Sequence, residues 1–282
     1  MISTVQKKQM GILWIVLAAT LWSLQGVLGK LNTWNPLCLS GFRAIFASLT
    51  IGAYRQNFRP SKNSIDWLAA VAVAMTGILF LSANNLTTAA NAIVLQYTMP
   101  VFVILISWIC WKKKPQRFDI LCSAVMLLGV ALCFVNGLES GRAVGDLLAL
   151  LSAVTYAFVY LFAGTKKCDA LSYSYQGSLI SILLIFLPVF DKGFSFSFTN
   201  VLTAAAMGVF VGLGYICFAK GFSQNVHATQ AAIVSYMEPI LSPLWVMLFV
   251  GERIDLLALV GISIVLSAAI VYSIYSNRGA DK

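Results

Sequence analysis

Charge is scarce in this chain. Asp, Glu, Lys and Arg make up 10% of its residues, against about 25% in an ordinary soluble domain. Acids are scarcer still, ten in 282 residues. A water-facing surface of the usual kind is therefore excluded. The single histidine and six cysteines, without CxxC or zinc-like spacing, give no expectation of a metal or other cofactor. The cysteines read as reduced, small packing residues. There is no GxxxxGK[ST] and no GxGxxG, so no built-in ATPase or dinucleotide site is expected. A nucleophile elbow is missing as well, and the chain is not expected to be an enzyme. Filter-like TVGYG segments are absent, which counts against a selective ion channel. Strand-like alternation is weak, which counts against a β-barrel.

What is present is apolar sequence. Hydrophobic residues make up 60% of the chain, and runs of about 18 or more apolar residues read as membrane-spanning helices. Ten such segments are expected, near 10–29, 36–54, 67–83, 89–111, 118–135, 147–163, 171–190, 200–219, 228–250 and 254–275. The first resembles a signal-peptide core, but nine more follow, so it reads as span one. The connections are mostly short and leave no room for a soluble domain.

The net charge of +9 invites a nucleic-acid partner, and its distribution argues against one. With ten spans both termini share a side. Fourteen Lys and Arg fall on that side, including Lys7, Lys8, the Lys112–Lys114 run and Arg278. Four fall opposite: Lys30, Arg142, Lys192 and Arg253. The positive-inside bias predicts that both termini are cytoplasmic and that the chain is a multi-pass protein of the cell membrane.

The chain repeats itself. "AIVLQYTMP", ending at Pro100, matches "AAIVSYMEP", ending at Pro239. The stretch from Gly11 parallels the stretch from Gly145, with Trp22 opposite Tyr156. The predicted fold is an all-α integral membrane protein with ten transmembrane helices in two five-helix repeats, 1–137 and 138–282. Five is odd, so the second repeat enters from the opposite face. Such inverted repeats place a substrate site at their interface near the midplane.

Several residues also resemble a family. Arg43 in "GFRAIFASL", the segment "FAKGFSQNVHATQAAIVSYMEPILSPL" and "LFVGERI" after it are similar to EamA-type members of the drug/metabolite transporter superfamily. In the first half "WKKKP" stands where the family's Gly-Glu usually follows span four. The resemblance implies two EamA-like halves around a central cavity. It also implies secondary transport, often export, of amino acids, other metabolites or toxic compounds.

The polar residues inside the spans are the candidates for chemistry. Glu238 is the one carboxylate deep in a span. An intramembrane acid costs about 2.5–3.5 kcal/mol on insertion scales and defaults to a functional role. It suits a proton site or a counter-charge for an amino-bearing substrate; the competing reading is a residue that orients helices. Ser235 and Ser242 should share its helical face. Pro100 and Pro239 each remove a helix hydrogen bond, freeing the carbonyls of Gln96 and Ser235. They read as paired gating kinks or as packing kinks. Arg43 reads as a gate or an anchor for a substrate carboxylate, or as a snorkelling cation. Trp22 and Gln25 share a face of span one. Ser152, Tyr156 and Tyr160 form a stripe on span six. With Tyr97, Tyr215 and Tyr236 they suit a pocket that stacks a ligand and orients it; packing is the alternative for any single tyrosine. Gly208 and Gly212 form a small-xxx-small pair, read as packing within a monomer, with dimerisation the alternative.

The function expected is secondary transport of a small organic metabolite, an amino acid or similar amino-bearing compound, outward by alternating access. Its partners are that substrate, the lipid bilayer and, if coupling occurs, protons. The alternatives are an uptake carrier for a cationic or nutrient solute, a passive channel and a membrane enzyme. The topology has a direct check. Cysteine-accessibility labelling should place Lys113, Lys167 and Arg278 inside, and Ser140 and Lys192 outside. Termini on opposite sides would remove the ten-span reading and the inverted repeat with it.

Overall fold

A computed structural model describes residues 4–138, 140, 142–165, 167–190, 194–251 and 254–278. Among them there is no strand. The helices run α1 Thr4–Ser23, α2 Gln25–Lys30, α3 Pro36–Arg55, α4 Ser64–Leu86, α5 Ala89–Gln96, α6 Met99–Trp111 and α7 Arg117–Cys133. They continue with α8 Ala143–Ala163, α9 Ala170–Ile182, α10 Phe198–Ser223, α11 Ala228–Val234, α12 Met237–Val250 and α13 Leu256–Arg278. Lys166, Lys192, Arg253 and Lys282, counted in the charge bias, lie outside the described residues, as does Glu252 of the "LFVGERI" motif.

Seven helical segments among the described residues are long and apolar enough to cross a membrane. They are Gln6–Lys30, Pro36–Arg55, Ser64–Leu86, Ala89–Trp111, Ala143–Ala163, Phe198–Ser223 and Ala228–Val250. Shorter apolar helices cover Ala170–Phe186 and Leu256–Tyr272, and α7 has 17 residues. The seventh expected segment, 171–190, is regular helix only to Ile182 and then winds as a 3-10 helix over Leu183–Phe190. Pro188 has no N–H to give the Leu184 carbonyl, which favours that change.

Helix ends carry their own partners, as the missing intrahelical bonds require. Asn35 Oδ1 accepts from Leu37 N at 3.0 Å, Asn63 Oδ1 from Ile65 N at 3.0 Å and Asp169 Oδ2 from Ser172 N at 2.8 Å. Ser197 Oγ accepts from Asn200 N at 3.2 Å, and Asp255 Oδ1 from Ala258 N at 2.7 Å. Gln56, Lys112 and Gly251 close helices in the left-handed region, a common C-terminal stop.

Three apolar segments are interrupted: span one at Leu24, span four at Tyr97–Thr98 and span nine at Ser235–Tyr236. The last two lie just before Pro100 and Pro239, as the missing N–H dictates. The Leu24 break has no proline. There Thr20 Oγ1 donates to Val16 O at 2.9 Å and Ser23 Oγ to Thr20 O at 2.7 Å. Such back-bonding hydroxyls bend helices, and Gly26 follows within one turn.

Apolar side chains form two main clusters. One gathers α1, α4, α6, α8, α9, α10 and α11 around Trp22, Tyr160, Tyr173 and Phe218. The other gathers α7, α11, α12 and α13 around Met126, Tyr236, Ile240 and Tyr272. Lipid supplies no hydrophobic drive between helices, so close approach carries the association. α10 lies along α3; Gly208 faces the Arg43 carbonyl and Phe46, and Gly212 faces Ala47 and Thr50. The small-xxx-small pair thus packs two helices of one chain together. Gly208→Val would drive its Cβ into that carbonyl oxygen. A loss of about 1–3 kcal/mol follows from overpacking. Thermal melting of the purified variant in detergent should show it, and an unchanged midpoint would contradict this account of the contact.

Candidate functional site

A cavity of about 790 Å³ opens between the helices. Its mouth is set by Lys30, Trp34, Asn84, Ala89 and Asp255, where α2 and α4 end and α3, α5 and α13 begin. The connections 56–63, 112–116, 167–169 and 224–227, at the other ends of the helices, contribute nothing to its lining. Polar clamps hold that far end instead. Ser61 Oγ donates to Asp66 Oδ2 at 2.5 Å and Asp169 N to Asp66 Oδ1 at 3.0 Å. Tyr272 OH donates to Asp119 Oδ1 at 2.9 Å, tying α13 to α7. Among the described residues the cavity therefore opens at the mouth end.

The mouth end has its own brace. Trp34 Nε1 donates to Ser195 O at 2.7 Å, and the ring packs on Phe42 and Phe194 at 4.6 and 5.0 Å. Asn32 Nδ2 donates to Asn200 O at 2.9 Å and to Thr203 Oγ1 at 2.8 Å. These bonds fasten the connection after α2 to the start of α10. On the other flank, Gly26 of α2 lies against Ser242 of α12. Trp245 Nε1 donates to Ser23 Oγ at 2.8 Å. α2 and the end of α1 therefore meet α12 beside the mouth.

Deep in the cavity stand one acid and one base. Glu238, in the first turn of α12, accepts from Tyr156 OH at 3.4 Å, and Tyr97 lines the same space. Arg43 of α3 donates to Gln25 Oε1, just past the Leu24 break. Tyr215 joins them from α10. Trp22 covers one wall: its ring meets Tyr215 edge-on at 5.3 Å and Phe218 at 5.7 Å, and Nε1 reaches Val211 O at 3.4 Å. The arrangement places a carboxyl group, a guanidinium and several aromatic hydroxyls around one space. That combination can hold a small ligand carrying both a cationic and an anionic or polar group.

Of the residues singled out in the sequence, Trp22, Gln25, Arg43, Gln96, Tyr97, Tyr156, Tyr215, Glu238 and Pro239 line the cavity. Tyr160, Ser235, Tyr236 and Pro100 do not. Tyr160 and Ser235 sit one layer behind the wall, 0% and 1% exposed, with Tyr160 OH donating to Ser235 Oγ at 2.6 Å. Tyr236 is fully buried in the second cluster, 3.3 Å from Ser123 Oγ. Pro100 is buried. The expected stripe of Ser235, Glu238 and Ser242 is split, because the interruption at Ser235–Tyr236 resets the helical phase between them. Ser152 is fully buried and bonds its own helix at Ala149 O, 2.7 Å away. The Ser235 carbonyl is not left free either; Glu238 N donates to it at 3.0 Å, closing a tight turn.

The cavity also has polar residues that the sequence reading passed over: Thr76 and Asn84 of α4, and Ser178 and Ser181 of α9. Hydroxyls recurring at three- and four-residue spacing inside an apolar run were the available signal, as in Ser174, Ser178 and Ser181. Each of these three serines donates to a carbonyl of its own helix, at 2.7–2.9 Å.

Comparison with known proteins then decides the family. Two stretches, 9–135 and 143–274, each match the EamA-like transporter family. The chain belongs to the EamA-like transporter family. It is a multi-pass membrane transporter, and the family's members are transporters rather than enzymes. An uncharacterized transporter of Clostridium kluyveri is 26% identical, with 96% of this chain and 95% of that protein covered. The uncharacterized inner membrane transporter YicL of Salmonella typhimurium is 26% identical, over 96% and 97% of the two chains. Human solute carrier family 35 member G1 is 24% identical over 85% of this chain and 72% of its own length. A solved crystal structure shares the fold, with a TM-score of 0.78 at 16% identity, covering 95% of this chain and 98% of that one.

Proposed function

We propose that this EamA-family chain is a secondary carrier. It moves a small amino-bearing metabolite, such as an amino acid, outward across the cell membrane by alternating access. The observation that carries the reading is the position of Glu238. An acid inside a span stands at a helix interruption, faces a cavity open at one end, and shares that cavity with Arg43. In hydrocarbon such a group is tolerated where a cavity or partner satisfies it. Half-helix termini at the midplane are the usual means by which carriers contact their cargo.

In this scheme Glu238 receives the substrate's positive group and holds a proton when the site is empty. Arg43 keeps donors beyond the one taken by Gln25, because a guanidinium has five; those meet a carboxylate or another acceptor. Tyr97, Tyr156 and Tyr215 orient the ligand, Trp22 packs against it, and Gln25 and Gln96 complete the polar rim. Pro100 and Pro239 mark the points where spans four and nine bend as the open end closes.

The family match to two successive stretches supports two halves, 1–137 and 138–282, and the parallel helix interruptions support an inverted pair with ten spans. With both termini cytoplasmic, the cavity faces outward. A single chain encloses the site, which favours a monomer as the transport unit.

Glu238→Gln tests the assignment. It keeps the shape and most hydrogen bonds but removes the charge. The probe is the labelled amino acid that most raises the melting temperature in a screen of amino acids, quaternary amines, nucleosides and sugars. Affinity should fall about 10- to 150-fold, the equivalent of one charge-assisted hydrogen bond worth roughly 1.5–3 kcal/mol. Uptake driven by a pH gradient should be lost with it. Unchanged affinity with lost pH-driven accumulation would leave Glu238 a proton site alone. Normal affinity with normal pH-driven transport would reject its functional role.

A further inference from the structure

Span nine breaks between α11 and α12, and the break is tied to α8 at two points one helical turn apart. Tyr160 OH donates to Ser235 Oγ at 2.6 Å, at the end of α11. The Ser235 hydroxyl passes its own proton to Ala231 O, 2.9 Å away, so its oxygen is free to accept. Tyr156 OH reaches Glu238 Oε2 at 3.4 Å, in the first turn of α12. Tyr160 is 0% exposed and Ser235 1%, so water does not compete for the shorter bond. The Tyr160 ring is wedged edge-on against Phe218 at 5.0 Å, which fixes where its hydroxyl points.

The first half lacks this tie. In the parallel between the stretches from Gly11 and Gly145, Gly26 occupies the place of Tyr160 and Trp22 the place of Tyr156. In the parallel between the two proline stretches, Gln96 occupies the place of Ser235, and Gln96 lines the cavity. A glycine has no group to hold a hinge. One of the two related breaks is thus fastened by a buried hydrogen bond from a neighbouring helix, and the other has its corresponding side chain in the cavity.

We propose that the Tyr160–Ser235 hydrogen bond is a latch on the span-nine break that holds the cavity open at its mouth end. Tyr160 is a positioning residue that acts through Ser235 and does not touch the substrate. The latch rests on the carrier reading above, because it requires a second state in which the break has a different angle. While the bond is made, α12 keeps Glu238 turned toward the cavity. Breaking it favours closure at the mouth and opening at the far end.

The test needs no substrate. In proteoliposomes of the full chain, a membrane-impermeant maleimide reads native Cys133, which lines the cavity. A cysteine introduced as Ala228→Cys, at the start of α11 beyond the closed end, reads the other side. Tyr160→Phe and Ser235→Ala should each speed labelling of position 228 by about 2- to 10-fold, the equilibrium weight of one neutral hydrogen bond. Labelling of Cys133 should slow. Ser235→Thr, which keeps the hydroxyl, should retain the parent rates. Tyr160→Phe combined with Ser235→Ala should do no more than either alone, because both remove one bond. Unchanged rates in folded Tyr160→Phe and Ser235→Ala, or fully additive effects, would overturn the latch. Should Tyr160→Phe fail to fold, the Ser235→Ala and Ser235→Thr pair decides the same question. Failure of the carrier reading looks different: both positions of one parent molecule would label at once through a continuous water path.

Discussion

The structure depends on one constraint: polar groups inside a bilayer need partners within the protein. Hydroxyls on the spans answer it locally. Thr50, Ser174, Ser178 and Ser181 donate to carbonyls one turn back along their own helices. The backbone departs from regular helix at places where other groups can take over, such as the Ser235 carbonyl and its bond from Glu238 N. Glu238 itself, with Tyr156 as its partner, stands at such a place. The acid, the interruption and the cavity are therefore one feature. Removing any of them would leave the others without their physical reason.

Close packing supplies the frame that keeps this polar centre in place. Gly208 and Gly212 bring α10 against α3, which carries Arg43. Gly129 and Gly261 bring the backbones of α7 and α13 together. At the end away from the mouth, Asp66 and Asp119 fasten helix starts to neighbouring segments. The result is rigid walls around segments that are interrupted, with α2, α5 and α12 as short pieces beside the opening.

Much of this was legible in the sequence, for identifiable reasons. Apolar runs show because lipid demands them, and the scarcity of acids makes Glu238 conspicuous. Pro100 and Pro239 announce breaks because proline lacks an N–H. Other features leave weaker traces. The Leu24 interruption arises from Thr20 and Ser23 bonding to their own helix, and those residues sit in many unbroken helices. Tyr97 and Tyr236 hold equivalent places in the repeat, yet one lines the cavity and the other is buried against Ser123. An unbroken helical period places Ser235 on the face of Glu238; the interruption between them changes the phase. Tyr160 looked like a ligand contact, and only the neighbouring helix shows that its hydroxyl is already engaged.

The central claim is that one cavity serves both sides of the membrane in turn. Counterflow measures that most directly. Liposomes containing the chain are loaded with an unlabelled amino acid, the best ligand from the stability screen, and diluted into a trace of the labelled compound. A carrier with a single alternating site should draw label inside transiently above its equilibrium level, and faster than in unloaded liposomes. Label that only equilibrates, at a rate indifferent to what is loaded inside, would contradict the account and point to a passive path.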